Sequence, residues 1–452
     1  MSWKEVKLGD FLEVRTSRYK YDDKSICDLK RIDKIDFSGN IYLSEKPSKT
    51  DMILIQKGDL VISGINVEKG AMAIYQGKKD IIATIHYSSY KYDRDKIDID
   101  FLKLFLQSQE FRTAIKEQVP GGIKTEIKPK HLLPLTVCIP SDIQDQRKIV
   151  TKIGISFSKI EKLTMEQHYQ LDLIKKLRQQ ILKDAIQGKL VLQNTEDELA
   201  SELLKKIKVE KEKLIKEKKI KKEKPLAPIS EDELPFTIPK NWKWCRLQNI
   251  STLIFDGPFG THLKTADYKT KGIRVIRLEN LGVMYFKDYK ETFISLEKYK
   301  ILAKHTVYEG DIIIGSFLAD GVKCVVLPKL KYTTIAKADC FTIRVNSHLI
   351  SNRFIMYLLS SELISVELFK LLRGMTRLRI NTTQLKNVII PLPPLAEQQR
   401  IVERIDELFD LCNKLEESII HNQVIIERLY QSALKEALQP KETKKIASLP
   451  NY

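Results

Sequence analysis

Leu182-Lys183-Asp184-Ala185-Ile186-Gln187 closes one long helical pattern, and Leu434-Lys435-Glu436-Ala437-Leu438-Gln439 closes another 252 residues later. Working back from both ends at that offset, Ile149-Val150 falls on Ile401-Val402, and Asp145-Gln146 on Glu397-Gln398. Further upstream, Gly58-Asp59-Leu60-Val61-Ile62 falls on Gly310-Asp311-Ile312-Ile313-Ile314. A one-residue slip pairs Phe101-Leu102 with Phe354-Ile355, and Gly121 with Gly374. A period of about 250 residues is far beyond the roughly 20–50 residues of a solenoid unit. The chain is therefore read as two fused copies of a domain-plus-helix unit.

The helical patterns carry a seam. Ile149, Ile153, Ser156, Ile160, Leu163, Gln167, Gln170, Ile174, Leu177 and Ile181 are spaced alternately by four and three. The second copy supplies Ile401, Ile405, Leu408, Cys412, Leu415, Ile419, Asn422, Ile426, Leu429 and Ala433 in the same register. That spacing belongs to a coiled-coil seam. Packing of each helix on its own head is the plainer alternative. However, a helix of about 45 residues would run roughly 68 Å at 1.5 Å per residue, longer than one head is wide. The matching seam in the same chain is the nearest partner, with Gln170 and Asn422 as a polar pair that fixes register.

The expected organisation has six parts: a first head over 1–140, a long helix over 141–188 and a lysine-rich linker over 189–240. A second head over 241–391, a second long helix over 392–439 and a tail over 440–452 follow. Short β-rich runs, such as Met52–Ile55 and Ile273–Leu278, precede a helix in each head, which predicts an α+β fold. Each head is mixed α/β with mainly antiparallel sheet. From Glu202 to Lys224 the linker holds eleven lysines and five glutamates, then Pro225, Pro228, Pro235 and Pro239. It reads as a solvated helix and tether, or as a sequence-independent phosphate contact. As a tether it would let the second helix return antiparallel to the first.

The 452 residues carry 77 Lys and Arg against 59 Asp and Glu, a net charge of +18 that favours a polyanionic partner. Two related heads read something presented twice, and duplex DNA is the two-fold ligand this suggests. The amino terminus lacks the apolar run of a signal peptide, and no apolar stretch approaches a membrane span, so a cytoplasmic protein without membrane contact is expected. The six cysteines and seven histidines lack metal-ligand spacing, so reduced thiols and no metal site are expected. There is no G-x-x-x-x-G-K-[ST] loop, no Gly-rich turn for S-adenosylmethionine and no Asn-Pro-Pro-Tyr-like element.

Four stretches together resemble the specificity subunit of type I restriction-modification enzymes. They are Pro391-Leu-Pro-Pro-Leu-Ala-Glu-Gln-Gln-Arg-Ile-Val402, Asp256-Gly-Pro-Phe-Gly-Thr-His-Leu-Lys264, Leu234-Pro-Phe-Thr-Ile-Pro-Lys-Asn-Trp-Lys-Trp244 and Ala185-Ile-Gln-Gly-Lys-Leu190. The first head departs from the pattern: it lacks the Asp-Gly-Pro-Phe-Gly element and enters its helix through Ile139-Pro-Ser-Asp-Ile-Gln-Asp-Gln146. The resemblance implies two target-recognition domains, each reading half of a split DNA site, held apart by an antiparallel coiled coil with a pseudo-two-fold repeat. It also implies two methylation subunits as partners, with restriction-translocation subunits in the full complex. S-adenosylmethionine, and ATP with magnesium, would belong to those partners, and this chain would bind no cofactor and catalyse nothing.

The residues proposed to touch DNA fall in three clusters: Gly374, Thr376, Arg377 and Arg379; Gly121, Gly122, Lys124 and Thr125; and Thr261, His262 and Lys264. Glycine allows close approach, Arg forks to guanine or phosphate, and Thr contacts either. A tight turn would account for the glycine clusters as well, and a structural role for His262. Arg274 and Arg277 are either readers or ion-pair partners on a strand. Two other functions stay open: a self-contained methyltransferase or nuclease with its own recognition domains, and a coiled-coil adaptor without a DNA role. The first would need catalytic motifs for which the chain has no room, and the second leaves two differing heads unexplained.

Overall fold

The computed structural model describes residues 1–36, 39–44, 46, 48–65, 71–118, 126–318, 321–372 and 379–439. The chain forms two compact units, Met1–Tyr169 with Ile419–Tyr452, and Gln170–Ser418. The fold is α+β with two long helices, Ile143–Ile186 and Leu395–Leu438, of 44 residues each. Each long helix contributes residues to both units.

In the first unit, Trp3–Lys7 pairs with Thr136–Pro140. A four-stranded sheet runs Leu12–Val14, Tyr87–Tyr92, Leu60–Ser63, Met72–Ile74, and a five-stranded sheet runs Arg18–Tyr19, Met52–Ile55, Ile81–Thr84, Arg31–Ile35, Ile41–Ser44. The buried strands read Met-Ile-Leu-Ile, Leu-Val-Ile-Ser and Ile-Ile-Ala-Thr, the near-continuous apolar runs of strands covered on both faces. The second unit pairs Lys243–Arg246 with Ile389–Leu392. Its four-stranded sheet runs Ser251–Phe255, Cys340–Val345, Ile312–Gly315, Cys324–Val326, which repeats the order of the first. Its five-stranded sheet runs Tyr268–Lys269, Phe293–Ile294, Ile273–Ile276, Thr334–Ala336, Thr306–Val307. The sheets are mainly antiparallel, as expected. Each five-stranded sheet contains a parallel pair, Arg31–Ile35 beside Ile81–Thr84 and Ile273–Ile276 beside Thr334–Ala336.

The repeated Gly-Asp pair makes the same turn in both heads. Gly58 and Gly310 adopt φ of +91° and +85°, a region that favours glycine. The next residue folds back: Asp59 accepts from Gln56 N at 2.9 Å and Asp311 from Tyr308 N at 2.8 Å. Both carboxylates are buried and each is neutralised by an arginine, but from different strands. Arg15 follows Leu12–Val14, whereas Arg344 lies within Cys340–Val345 and reaches Asp311 through Nε at 2.7 Å and Nη2 at 2.6 Å. An isolated buried carboxylate would cost several kcal/mol, so the aspartate requires an arginine but does not dictate its origin.

A buried glutamine ties each head to its long helix. Gln146 accepts from Asp98 N at 2.8 Å and donates to Pro140 O at 3.1 Å. Gln398 accepts from Ser351 N at 2.9 Å and donates to Pro393 O at 3.0 Å. Asp98 and Ser351 are themselves the N-caps of Ile99–Gln107 and Asn352–Ser360. One side chain thus fixes the angle of cap, strand end and long helix together.

The expected seam is buried at some positions and exposed at others. Ile153, Ile174, Ile181, Ile401, Ile405 and Cys412 are buried, and Ile149 lies in the first head's core with Leu434 and Leu438. Ile160, Leu408, Ile419 and Ile426 are half-buried. Leu163, Leu177, Leu415 and Leu429, expected inside, are exposed, as are Ser156 and Asn422. The inward positions are one residue later, at Phe157, Thr164, Arg178, Glu416 and Tyr430. Within the first unit Phe157 stacks on Tyr430 at 4.5 Å, and Gln167 reaches across to Ile419 O at 3.4 Å. Within the second, Arg178 reaches Asn413 and Glu416, both at 2.7 Å. The broad rings and the long Arg fill the interior better at i+4 than the leucines do at i+3. The helix also buries a wider stripe because a head packs beside it.

The lysine-rich linker is not a free tether. Its helix, Ala200–Lys216, buries Ala200, Leu203 and Ile207, so its lysines occupy one face of an amphipathic element. Lys211 Nζ donates to Gln248 O at 2.7 Å, and burial lowers the pKa of that ammonium. The extended part continues along the second head, where Arg246 donates to Ala227 O at 3.2 Å and pairs with Glu233. The reading as a solvated helix and tether is corrected accordingly: charge counting hid a short apolar stripe.

Candidate nucleic-acid interface

The second head gathers aromatic rings and cations around the Asp256–Lys264 loop. Gly257 packs on the chain that follows Thr334–Ala336: a Cβ there would lie 2.1 Å from the Lys337 carbonyl carbon. Only glycine lets the loop lie so close to backbone. Pro258 is buried behind it, and Phe259 then projects, 47% exposed, with the Arg379 guanidinium 5.9 Å over its ring. Thr261, His262 and Lys264 are exposed around buried Leu263, and Lys264 N donates to Asp267 Oδ2 at 2.7 Å. Two expected clusters therefore meet, since Arg379 comes from the far end of the head.

A carboxylate holds that arginine. Arg379 lies 3.5 Å from Asp339, whose other contact is Ser316 Oγ at 3.1 Å. Asp339 has a φ of +70°, uncommon for a residue with a side chain, which turns its carboxylate toward the loop. Burial, reinforced by the charge of Asp339, pushes the Asp256 carboxyl up to about 6. His305 Nδ1 lies 2.7 Å from Asp256 O, so it carries the proton and donates, and burial lowers the pKa of the ring.

The strip continues past Lys337. Lys337 and Arg277 each lie 5.5 Å from the centre of the Tyr268 ring, and Arg277 pairs with Glu279 at 2.9 Å. Arg274 is different. It is 1% exposed, pairs with Asp288 and Glu291 and faces Phe286 at 5.7 Å, so it is an interior ion-pair partner rather than a reader. Gly121, Gly122, Lys124 and Thr125, and likewise Gly374, Thr376 and Arg377, lie outside the described residues. Sequence reading missed Phe259, Tyr268, Lys337 and Asp339. Phe259 sat in a motif already singled out, but Lys337 and Asp339 had no local signal.

This surface can take a polyanion with stacking or edge contacts, as aromatic residues interleaved with cations do. Among the described residues, no group of three or more His, Cys, Asp or Glu side chains could hold a metal ion, and no helix is long and apolar enough to cross a membrane. All six cysteines are free thiols, and burial pushes the Cys245 thiol up to about 12.

Asp256→Asn is expected to raise the melting temperature at pH 8 by roughly 2–4 °C. The folded chain holds the Asp256 proton up to about pH 6, whereas an ordinary aspartate releases it near 3.8. The stability from that proton is complete at low pH and is lost as pH rises through that window. Asn accepts the same Gly257 N–H bond, so its advantage should vanish by pH 4. An advantage unchanged between pH 4 and pH 8 would contradict the assignment.

Two heads share one four-stranded sheet order and each is followed by a long helix, and comparison with known proteins shows what such a chain is similar to. Residues 239–424 match the type I restriction modification DNA specificity domain. The chain is 36% identical over 249 residues to the type I restriction enzyme EcoAI specificity subunit of Escherichia coli, covering 53% of this chain and 40% of that one. It is 22% identical over 467 residues to the EcoDI specificity subunit of the same organism, covering 97% and 88%. The EcoAI match and a similar one to the EcoEI subunit span only about two-fifths of those relatives, 40% and 41%. A solved structure concerned with complex assembly and conformational transition of the type I R-M system shares the fold, at a TM-score of 0.64 and 17% identity over 97% of both chains. By these matches the chain is similar to the specificity subunits of type I restriction-modification enzymes.

Proposed function

We propose that this chain is the DNA-specificity subunit of a type I restriction-modification enzyme. Each head reads one half of a bipartite duplex site, and the chain scaffolds two methylation subunits and, in the full enzyme, restriction-translocation subunits. The observation that carries this reading is the repetition of one sheet order and one buried glutamine tie in two heads whose loops differ. A common scaffold with different loops suits two different half-sites. The chain itself is non-catalytic and cytoplasmic, and S-adenosylmethionine, ATP and magnesium are bound by its partners.

The long helices pair as an antiparallel coiled coil, which relates the two copies by a pseudo-two-fold axis. Support comes from contacts whose partner number falls as the first helix advances: Phe157 with Tyr430, Gln167 with Ile419, Arg178 with Asn413. The proposed DNA contacts are Thr261, His262, Lys264 and Arg379, with Gly374, Thr376 and Arg377 in the same head and Gly121, Gly122, Lys124 and Thr125 in the other.

The test is selection from a random duplex pool by the chain with its methylation partner, before and after deleting Leu163–Tyr169 together with Leu415–His421. The intact protein should enrich two half-sites at a fixed gap. The matched deletion removes about 10 Å at 1.5 Å per residue, close to 3 bp at 3.4 Å, so the gap should shorten while both half-sites persist. A folded double deletion that selects the original gap rules out the helices as the spacer, and no enrichment by the intact complex rules out the function.

A further inference from the structure

We propose that Phe259 is a wedge that unstacks one base step in the half-site read by the second head. This rests on the DNA-reading function proposed above and assigns a specific act to one side chain. The ring is 47% exposed and belongs to no core cluster among the described residues. Its base is rigid. Gly257 lies against the Lys337 backbone, Pro258 is buried, and Leu263 anchors the far side of the loop.

Its surroundings suit a nucleic acid better than a protein groove. Arg379 lies 5.9 Å over the ring and is 54% exposed, and exposed Thr261, His262 and Lys264 flank it. Asp339 holds Arg379 and carries a charge that keeps it from collapsing onto any phosphate within reach. A cation over an aromatic face pre-orders both groups, and a rigid apolar tip with cations beside it is the arrangement that enters a base step. The cost of unstacking differs with the step, so a wedge also adds sequence preference at a position without a hydrogen-bonded contact.

The experiment places 2-aminopurine at successive positions of the enriched duplex, leaving the methylation target untouched, and measures fluorescence with the assembled chain and methylation partner. Wild type should brighten one step of the second head's half-site several-fold. Phe259→Ala should lose that signal and about tenfold in affinity, while Phe259→Trp should keep most of both. Equal fluorescence for wild type and Phe259→Ala at every position, with binding intact, overturns the wedge alone. Failure of wild type to select any duplex overturns the function and the wedge together. If Phe259→Ala impairs assembly with the methylation subunit yet leaves the unstacking signal unchanged, Phe259 docks a partner and the wedge is wrong.

Discussion

Gly257→Ala is expected to erase sequence preference in one half-site and leave the other half unchanged. The added Cβ would lie 2.1 Å from the Lys337 carbonyl carbon, 2.2 Å from its oxygen and 2.5 Å from Ala336 O. These are backbone atoms at the end of a strand paired with Ile273–Ile276, and Lys337 N is itself bonded to Ile276 O at 2.9 Å. The strand cannot yield without breaking its ladder, so the Asp256–Lys264 loop must lift instead. Overpacking of this kind costs about 1–3 kcal/mol, which the rest of the head can absorb. Recognition cannot absorb it, because Phe259, Thr261, His262 and Lys264 all move with the loop. Discrimination worth about 1–3 kcal/mol for a good base contact should disappear. Pool selection with the variant complex checks this, and an unchanged pair of half-sites would show that the loop does not read DNA.

Glu397→Ala is expected to be among the most destabilising single changes in the second unit, at about 3–5 kcal/mol for breaking a buried network. Glu397 is fully buried and accepts from Trp242 Nε1 at 2.9 Å, Asn241 Nδ2 at 3.3 Å and Gln193 Nε2 at 2.5 Å. Alanine would leave the buried Trp242 indole N–H unpaired, at a cost of about 1–3 kcal/mol, and would open a void at a fully buried position, whereas exposed Gln193 keeps its bond to Gly188 O at 3.3 Å. Arg400 and Asp197, paired at 2.5 Å beside it, depend on the same junction. Glu397→Gln keeps an acceptor and should cost far less. Burial raises the pKa of the Glu397 carboxyl, so wild type loses stability as pH rises from 4.5 through the folded value, and the Gln variant should not. Denaturant melts of the three proteins across pH measure both effects, and similar losses for Ala and Gln would contradict the network.

The turns and ties that the two heads share were legible because their signals are local. Gly-Asp at a turn and Asp-Gln or Glu-Gln at the start of a helix act within a few residues. Their contacts, Gln56 N to Asp59 or Gln398 to Pro393 O, are equally short in sequence. The motif around Glu397 announced itself, but its purpose did not, since Gln193 and Asn241 lie some 200 and 156 residues away. The heptad period was visible and so were the isoleucines of its inner face, but Leu163 and Leu177 fit the pattern and are exposed, while Phe157 stacks on Tyr430. Arg274 and Arg277 look alike in sequence. Only the fold buries the first beside Asp288 and Glu291 and leaves the second on the surface by Tyr268. The Asp339–Arg379 pair brings together a turn and a distant loop, which no period or motif encodes.

The proposed function requires that two heads on one chain read two separated half-sites. Its most direct test is a base-resolution map of DNA methylation in a methylation-free host that expresses this chain with its methylation partner. A single bipartite motif, two short specified halves with an unspecified gap of fixed length, is the predicted result, and Gly257→Ala should degrade only one half. A continuous motif, or methylation without any motif, would contradict the account.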